Sequence, residues 1–425
     1  MSQFKKYKLK NGVKIILAPM KNTRAVTTMA LLPFGSRFEK KEEAGIAHFI
    51  EHMLFKGTKK RPSALAITKE LDALGAAYNA FTSRDSTGYW IKILKESLPQ
   101  ALDILSDIFF NSLFNPQEVE KEKGVILEEI RLYQDNPALY IYDLFYETFF
   151  GEHPLGRNVV GKIETISAIN REKLLNFKEN LYQPNNLLLV LAGPVKEKDL
   201  ILIEKYFGQK GKGEKRKFEK FVSQPHPPQI KIVNRQEIEQ VQLMLGFPGL
   251  SYFSPERETL EVFSILFGGN MSSRLFQEVR EKRGLAYSVG CSWNSFAETG
   301  VFIIEAGVDP KKVEETLKVI IEEIKKIKKE GPTEEEIGRS QKYIIRLEKL
   351  SFEDSMSVAS WYGHQALHLK KIETPEEKFK KIKAVTKEKI KKLAQKIFNK
   401  NYLSLSLIGP LKKENQFLEI LKNLN

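Results

Sequence analysis

Two segments of this chain repeat each other. "ISAINREKLLNFKENLYQPNNLLLVLAGPV" begins at Ile166 and "IKAVTKEKIKKLAQKIFNKNYLSLSLIGPL" at Ile382, and they align without a gap at an offset of 216. About a third of the aligned positions are identical, the self-similarity expected of an internal duplication. Each segment reads as an amphipathic helix, an apolar strand ending in Gly-Pro (Gly193-Pro194 and Gly409-Pro410) and the start of a further helix. Chance likeness of two amphipathic helices does not explain the matched Gly-Pro turns. Between the repeats, "GQKGKGEKRKFEKFVSQPHPPQ" (208–229) is rich in Gly, Lys and Pro and lacks periodicity, as a linker does. The expected fold is therefore two homologous α+β domains, 1–207 and 230–425, each a mainly antiparallel sheet with helices packed on it. A chain of 425 residues is long enough for two such cores.

Composition narrows the setting. A net charge of +14 would suit nucleic acid, but the lysines alternate with glutamates along helices, as in "KKVEETLKVIIEEIKKIKKEGPTEEE". That is the pattern of a solvated face with i,i+4 pairs, and no nucleic-acid partner is expected. Cys291 is the single cysteine, which rules out an intrachain disulfide and favours a reducing compartment. The opening "MSQFKKYKLKNGVKIILAP" reads as strand, Asn11-Gly12 turn and strand rather than as a signal peptide. No run approaches the roughly 18–20 apolar residues of a membrane span. These features point to a soluble, cytoplasmic protein.

"AGIAHFIEHMLFKGT" (44–58) raises a chemical question. Ile46, Phe49, Ile50, Met53 and Leu54 form one buried helical face, while His48, Glu51, His52 and Phe55 form a stripe beside it. Ionisable groups there are costly unless something pairs with them. Histidines four apart on a helix lie about 6 Å apart and can grip one metal ion. Neutral imidazole suits zinc, and Glu51 is placed to act as general base on a water at that ion. H-x-x-E-H is the inverted zinc-peptidase signature.

Zinc catalysis needs a third protein ligand and an open position. "NPQEVEKEKGVILEEIRLY" (115–133) offers one. Asn115 as N-cap, Pro116 at the first helical position and Glu118 at the third start a helix. Winding it at about 100° per residue puts Val119, Ile126, Ile130 and Tyr133 on one face. Glu122 and Glu129 flank that face on the same side, and Glu128 points away. Glu129 is therefore favoured as ligand over Glu128, with Glu122 as a carboxylate that orients the site.

"HFIEHMLFKGT" with "GVILEEI" about 77 residues after His52 resembles the pitrilysin/insulinase-type (M16) zinc metallopeptidases. Within that family it is most like the short bacterial members related to mitochondrial processing peptidase. The resemblance implies one zinc ion per chain held by His48, His52 and Glu129, with Glu51 as base and Glu122 in support. It also implies a peptide or unfolded polypeptide substrate. In the hairpin "AAYNAFTSRDSTGYWIKIL" (76–94), Asn79, Ala80 and Phe81 would pair with an extended peptide by β-augmentation. Phe55 would wall the side chain after the scissile bond.

The second half carries "GGNMSSRLFQEVREKRGLAYSVGCSW" (268–293), read as Gly268-Gly269, a helix capped by Ser272 or Ser273 that ends near Gly284, and a strand bearing Tyr287. By resemblance, Arg280 and Tyr287 donate hydrogen bonds to substrate in the active site, and Gly268-Gly269 matches a glycine-rich loop linked to substrate entry. Asp143 matches one acidic position associated with arginine preference, whereas Leu139 occupies another. His364 and His368 lack an intervening carboxylate and a partner motif, and they read, like Cys291, as structural. Enzymes of this family enclose substrate in a clam-shell of four domains, so this two-domain chain is expected to act as a homodimer. A heterodimer with a related subunit and a non-catalytic scaffold subunit are the alternatives.

Overall fold

The computed structural model describes residues 4–209, 211–214, 217–411 and 415–424. Lys210, Lys215 and Arg216 of the expected linker, and the extreme termini of the two expected domains, lie outside the described residues. The strands are β1 (Lys5–Lys8), β2 (Lys14–Pro19), β3 (Ala25–Leu32), β4 (Ala77–Thr82), β5 (Thr87–Leu94), β6 (Leu188–Gly193), β7 (Gln229–Asn234), β8 (Val241–Pro248), β9 (Ala286–Ser295), β10 (Gly300–Val308) and β11 (Ser404–Gly409). They form two sheets, ordered β1-β2-β6-β3-β5-β4 and β7-β11-β8-β10-β9. Without β1, the first order matches the second strand for strand. Each sheet has one parallel pair, β2 with β6 and β7 with β11, and is otherwise antiparallel.

The helices that matter below are α1 (Ile46–Leu54), α2 (Leu98–Asn111), α3 (Pro116–Asp135), α4 (Pro137–Phe150), α5 (Arg171–Leu181), α6 (Arg257–Phe267), α7 (Val313–Glu330), α8 (Ser355–His368) and α9 (Lys387–Ile397). The offset of 216 seen in the sequence carries α5 onto α9 and β6 onto β11 residue for residue. Even the caps correspond, since Asn170 Oδ1 accepts from Lys173 N and Thr386 Oγ1 from Lys389 N. Two α+β units are thus present, and they descend from the same pattern.

The contiguous division at 208–229 needs revision. One compact unit comprises residues 1–131, 157–219 and 349–374, the other 132–156, 220–348 and 375–425. The short segments are exchanged helices. In the first unit α8 packs on β2, β3 and β6, with Val358, Ala359 and Tyr362 against Met29, Leu31 and Val190. In the second, α4 packs on β7, β8 and β11, with Ile141, Phe145 and Phe149 among Met244, Ile303 and Ile408. On the opposite face of the second sheet, α6, α7 and α9 build the larger core. The linker is also less free than its composition suggests. Asn185 exchanges hydrogen bonds with Gly213, and Arg37 donates to Glu219 O at 3.0 Å while lying 4.0 Å over the Phe218 ring. Among the described residues no helix is long and apolar enough to cross a membrane.

Phe145 is fully buried in the contact between α4 and its sheet. Phe145→Ala is expected to destabilise the second unit by about 3–5 kcal/mol, as a large-to-small core change does. Trp293 fluorescence in a Trp90→Phe/Trp361→Phe background follows denaturant unfolding of that unit alone.

Candidate metal centre

α1 begins without a side-chain cap at Gly45. Instead the buried Glu39 carboxylate accepts from Gly45 N and Ala47 N, both at 2.8 Å, and satisfies the orphan donors of the first turn. Gly45 takes φ +95°, and a β-carbon there would lie 2.7 Å from Val160 O, so only glycine fits this entry. From that start, Ile46, Phe49, Ile50, Met53 and Leu54 are buried as the periodicity predicts. His48, Glu51 and His52 emerge together on the neighbouring stripe.

His48 Nε2 and His52 Nε2 face each other at 3.3 Å. Two ring nitrogens bound tetrahedrally at about 2.0–2.1 Å from zinc would stand close to that distance apart. Glu129 of α3 completes the group, with carboxylate oxygens 3.8 Å from His48 Nε2 and 3.6 Å from His52 Nε2. It is the only set of three metal-ligating side chains found among the described residues, its donor atoms lying within 4.8 Å of one another. Glu128 is 71 % exposed and pairs with Arg131, as the helical winding requires. Glu122 is buried, and its Oε1 accepts from His52 Nδ1 at 2.8 Å. That bond puts the His52 proton on Nδ1 and turns the Nε2 lone pair toward His48. Burial alone would raise the Glu122 carboxyl, but hydrogen bonds from His52 and Lys56 hold it below its usual value.

Lys56 is a partner that the sequence reading missed. Its ammonium lies 2.6 Å from Glu122 Oε2, so both carboxylate oxygens are engaged. The signal was available, because Lys56 follows His52 by four residues and continues the polar stripe of α1 by one turn.

Burial, with His52 adding to it, pushes His48 down to about 3. It is therefore neutral at ordinary pH, as a ligand imidazole must be, and its Nδ1 has no hydrogen-bond partner among the described residues. At 3.3 Å the two ring nitrogens either share one hydrogen bond or hold a cation between them, and the buried His48 Nδ1 leaves the His48 tautomer free to serve either. The donor set thus fits zinc. Burial raises the Glu51 carboxyl above its ordinary value, with Glu129 adding to this while Thr82 and His52 oppose it, so its basicity is increased.

Beside this group, a cavity of about 280 Å³ has Glu51 and His52 on one side and Phe55, Lys56, Tyr78, Asn79 and Ala80 around it. Phe55 stacks on Tyr78 at 6.3 Å between centroids. β4, the outermost strand of its sheet, supplies Tyr78, Asn79 and Ala80. Phe81 is not among the cavity walls: its ring lies over Gly88 of β5, where a side chain would clash.

In the second unit, the segment after Gly268-Gly269 departs from the regular helix expected from Ser272 or Ser273. Residues Phe276–Glu281 form a π-helical turn, in which Lys282 N bonds Gln277 O and Leu285 N reaches Val279 O. The wide turn ends at Gly284 and leads into β9. Tyr287 is 73 % exposed there, with the Arg280 guanidinium 5.4 Å from its ring centre. Gly268 and Gly269 have a packing reason of their own, since a β-carbon on either would press on Cys291 N or Ile265 Cα. Cys291 donates to Ser264 O, and burial raises its thiol far above the usual range. Asp143 is half-buried on α4. The His364 and His368 rings stand 4.7 Å apart on α8.

Fold and site together define a two-unit α+β chain in which His48, His52 and Glu129 form a group that could hold a metal ion. Residues 14–162 match the family model described as insulinase (peptidase family M16), and residues 168–344 match the model described as peptidase M16 inactive domain. The chain is 36% identical to the uncharacterized zinc protease YmxG of Bacillus subtilis over 96% of this chain and 98% of that one. It is 37% identical to an uncharacterized zinc protease of Rickettsia bellii, over 95% and 97%. The crystal structure of a protease from Helicobacter pylori superposes with a TM-score of 0.91 at 22% identity, covering 96% of this chain and all of that one. The periplasmic protease PqqL of Escherichia coli gives 0.82 at 20% identity, with 99% of this chain covering 50% of that one. The chain belongs to peptidase family M16.

His48 titrates near 6.5 in an unfolded chain and near 3 when folded. The unfolded state binds the extra proton between these values, so this contribution to stability is present above pH 6.5 and is lost as pH falls toward 3. Without metal, wild-type protein should lose about 2 kcal/mol more than His48→Phe between pH 7 and pH 5. Denaturant titrations in chelator at the two pH values check this.

Proposed function

We propose that this chain is a zinc-dependent endopeptidase that cleaves extended, unfolded polypeptide segments. The observation that carries the proposal is the pair of imidazole nitrogens facing each other at 3.3 Å with the Glu129 carboxylate across from them and Glu51 alongside. His48, His52 and Glu129 would hold one zinc ion, which supplies a Lewis acid for the scissile carbonyl and the attacking water. Glu51 takes a proton from the water as it attacks and returns it to the leaving amine. Glu122, gripped by Lys56, keeps the His52 ring in its ligating orientation. The free edge of β4 pairs with the substrate main chain, so recognition depends on an extended backbone rather than on one side chain. Phe55 and Tyr78 then offer an aromatic pocket for the residue after the cleaved bond.

The zinc-protease names of the relatives support this reading, as does the basicity that burial confers on Glu51. The rival reading is a scaffold subunit, for which a basic carboxylate beside a metal group has no use. Arg280 and Tyr287 are inferred to act in trans, each chain lending them to the zinc site of its partner in a homodimer. The length of PqqL, about twice that of this chain, supports a working unit of two such halves. The single cysteine favours the cytoplasm, although PqqL, with the same fold, is periplasmic, so the compartment does not follow from the fold.

Purified chain should cleave unstructured, internally quenched peptides, and both a zinc chelator and Glu51→Gln should abolish this. The loss in Glu51→Gln should be at least about 10²- to 10⁴-fold, with zinc content unchanged. Cleavage that survives Glu51→Gln sinks the mechanism, and zinc-loaded protein that cleaves nothing returns the weight to a scaffold. The dimer reading has its own test. Glu51→Gln and Arg280→Ala chains, each inactive alone, should on mixing and exchange regain up to about a quarter of wild-type activity, because half the dimers then hold one intact site. No recovery in exchanged dimers would place Arg280 outside the partner's site.

A further inference from the structure

A general base works only if its carboxylate is aimed, and Glu51 has a specific device for this. The Thr82 hydroxyl donates to Glu51 Oε2 at 2.5 Å. It is the one hydrogen bond made to that carboxylate among the described residues. Thr82 is the last residue of β4, and its alternation with Tyr78 and Ala80 turns it inward toward α1 while Asn79 and Phe81 face outward. Being β-branched, it has little freedom at χ1.

The backbone beneath it is clamped. The turn after β4 is closed by Ser83 N to Ser86 O and by Ser86 N to Ser83 Oγ. Ser36 N and Arg37 N then bond Ser83 O and Arg84 O, and the buried Arg37 guanidinium bonds Asp85. The threonine is therefore held from its own strand, its turn and a neighbouring loop.

We propose that Thr82 is the positioning residue of the base: its hydroxyl engages Glu51 Oε2 so that Oε1 alone exchanges the proton. The inference rests on the peptidase reading. As the water oxygen bonds to the scissile carbon, its proton passes to Oε1. As the carbon–nitrogen bond breaks, that proton passes to the leaving nitrogen, and Oε2 keeps its bond to Thr82 throughout. The hydroxyl comes from the strand whose free edge receives the substrate, so strand and base share one rigid mount. Removing the hydroxyl leaves the edge intact and lets the carboxylate turn. The loss therefore falls on kcat and not on KM.

Thr82→Val keeps shape and strand preference but removes the donor, and Thr82→Ser keeps the donor but removes the methyl group. With an internally quenched peptide, and with zinc content and melting temperature matched to wild type, Thr82→Val should lower kcat by about 10- to 100-fold. KM should stay within about twofold, as expected when only transition-state alignment is lost. Thr82→Ser should recover most of the loss. In a Glu51→Gln background, Thr82→Val should change the residual rate no further, because it acts through Glu51. Wild-type-like kcat in Thr82→Val overturns the proposal, as does a Thr82→Ser variant that falls equally far, or a change confined to KM. These outcomes leave the peptidase reading standing. A wild-type chain without Glu51-dependent cleavage overturns both.

Discussion

A strand buried at every position cannot leave either face of its sheet to water. β6 and β11 are buried along their whole length, and β3 nearly so. Each sheet must be covered on both sides, yet the helices that follow its strands locally cover one. The second cover comes from the other half of the chain, α8 for the first sheet and α4 for the second. The duplication and the exchange therefore belong together: the same helix position is exchanged in both directions, and neither sheet is complete without it. β4 is left as one of the edge strands of its sheet, and its Tyr78, Asn79 and Ala80 line the cavity shared with Glu51 and His52.

Two lines of support converge on those two side chains from different elements. From the helix side, Lys56 holds Glu122, which holds His52 in the tautomer that turns its Nε2 toward His48. From the strand side, Arg37 and Asp85 fix the turn that ends β4, and Thr82 reaches from there to Glu51. The first line fixes the orientation of the His52 ring and the second that of the Glu51 carboxylate. Both run through buried or half-buried polar groups, where low dielectric strengthens each bond and penalises each missing partner. The arrangement is rigid because few of its polar atoms have an alternative.

Much of this was legible in the sequence, for reasons specific to each element. The face of α1 followed from Ile46, Phe49, Ile50, Met53 and Leu54, and the start of α3 from Asn115 and Pro116, because these signals are local. Winding α3 separated Glu129 from Glu128 without any tertiary information, and their exposures differ as expected. The constant offset of the repeat anticipated α9 and β11. The exchange of α4 and α8 left no local trace, since an amphipathic helix does not state which sheet it will cover. Thr82 and Glu51 lie 31 residues apart on a strand and a helix, so only the folded chain joins them. The π-helical turn at Phe276–Glu281 escaped notice because its sequence is that of an ordinary helix.

The exchanged helices also bear on how the chain is made. The last strand of the first sheet, β6, ends at Gly193, but the helix that closes one face of that sheet ends only at His368. At about 5–20 residues per second of synthesis, the gap corresponds to roughly 9–35 s in which a finished sheet has one apolar face uncovered at the ribosome. The first unit therefore cannot mature domain by domain as the chain emerges. It must wait for a segment encoded well into the second repeat, a delay during which chaperone shielding of that face would matter most.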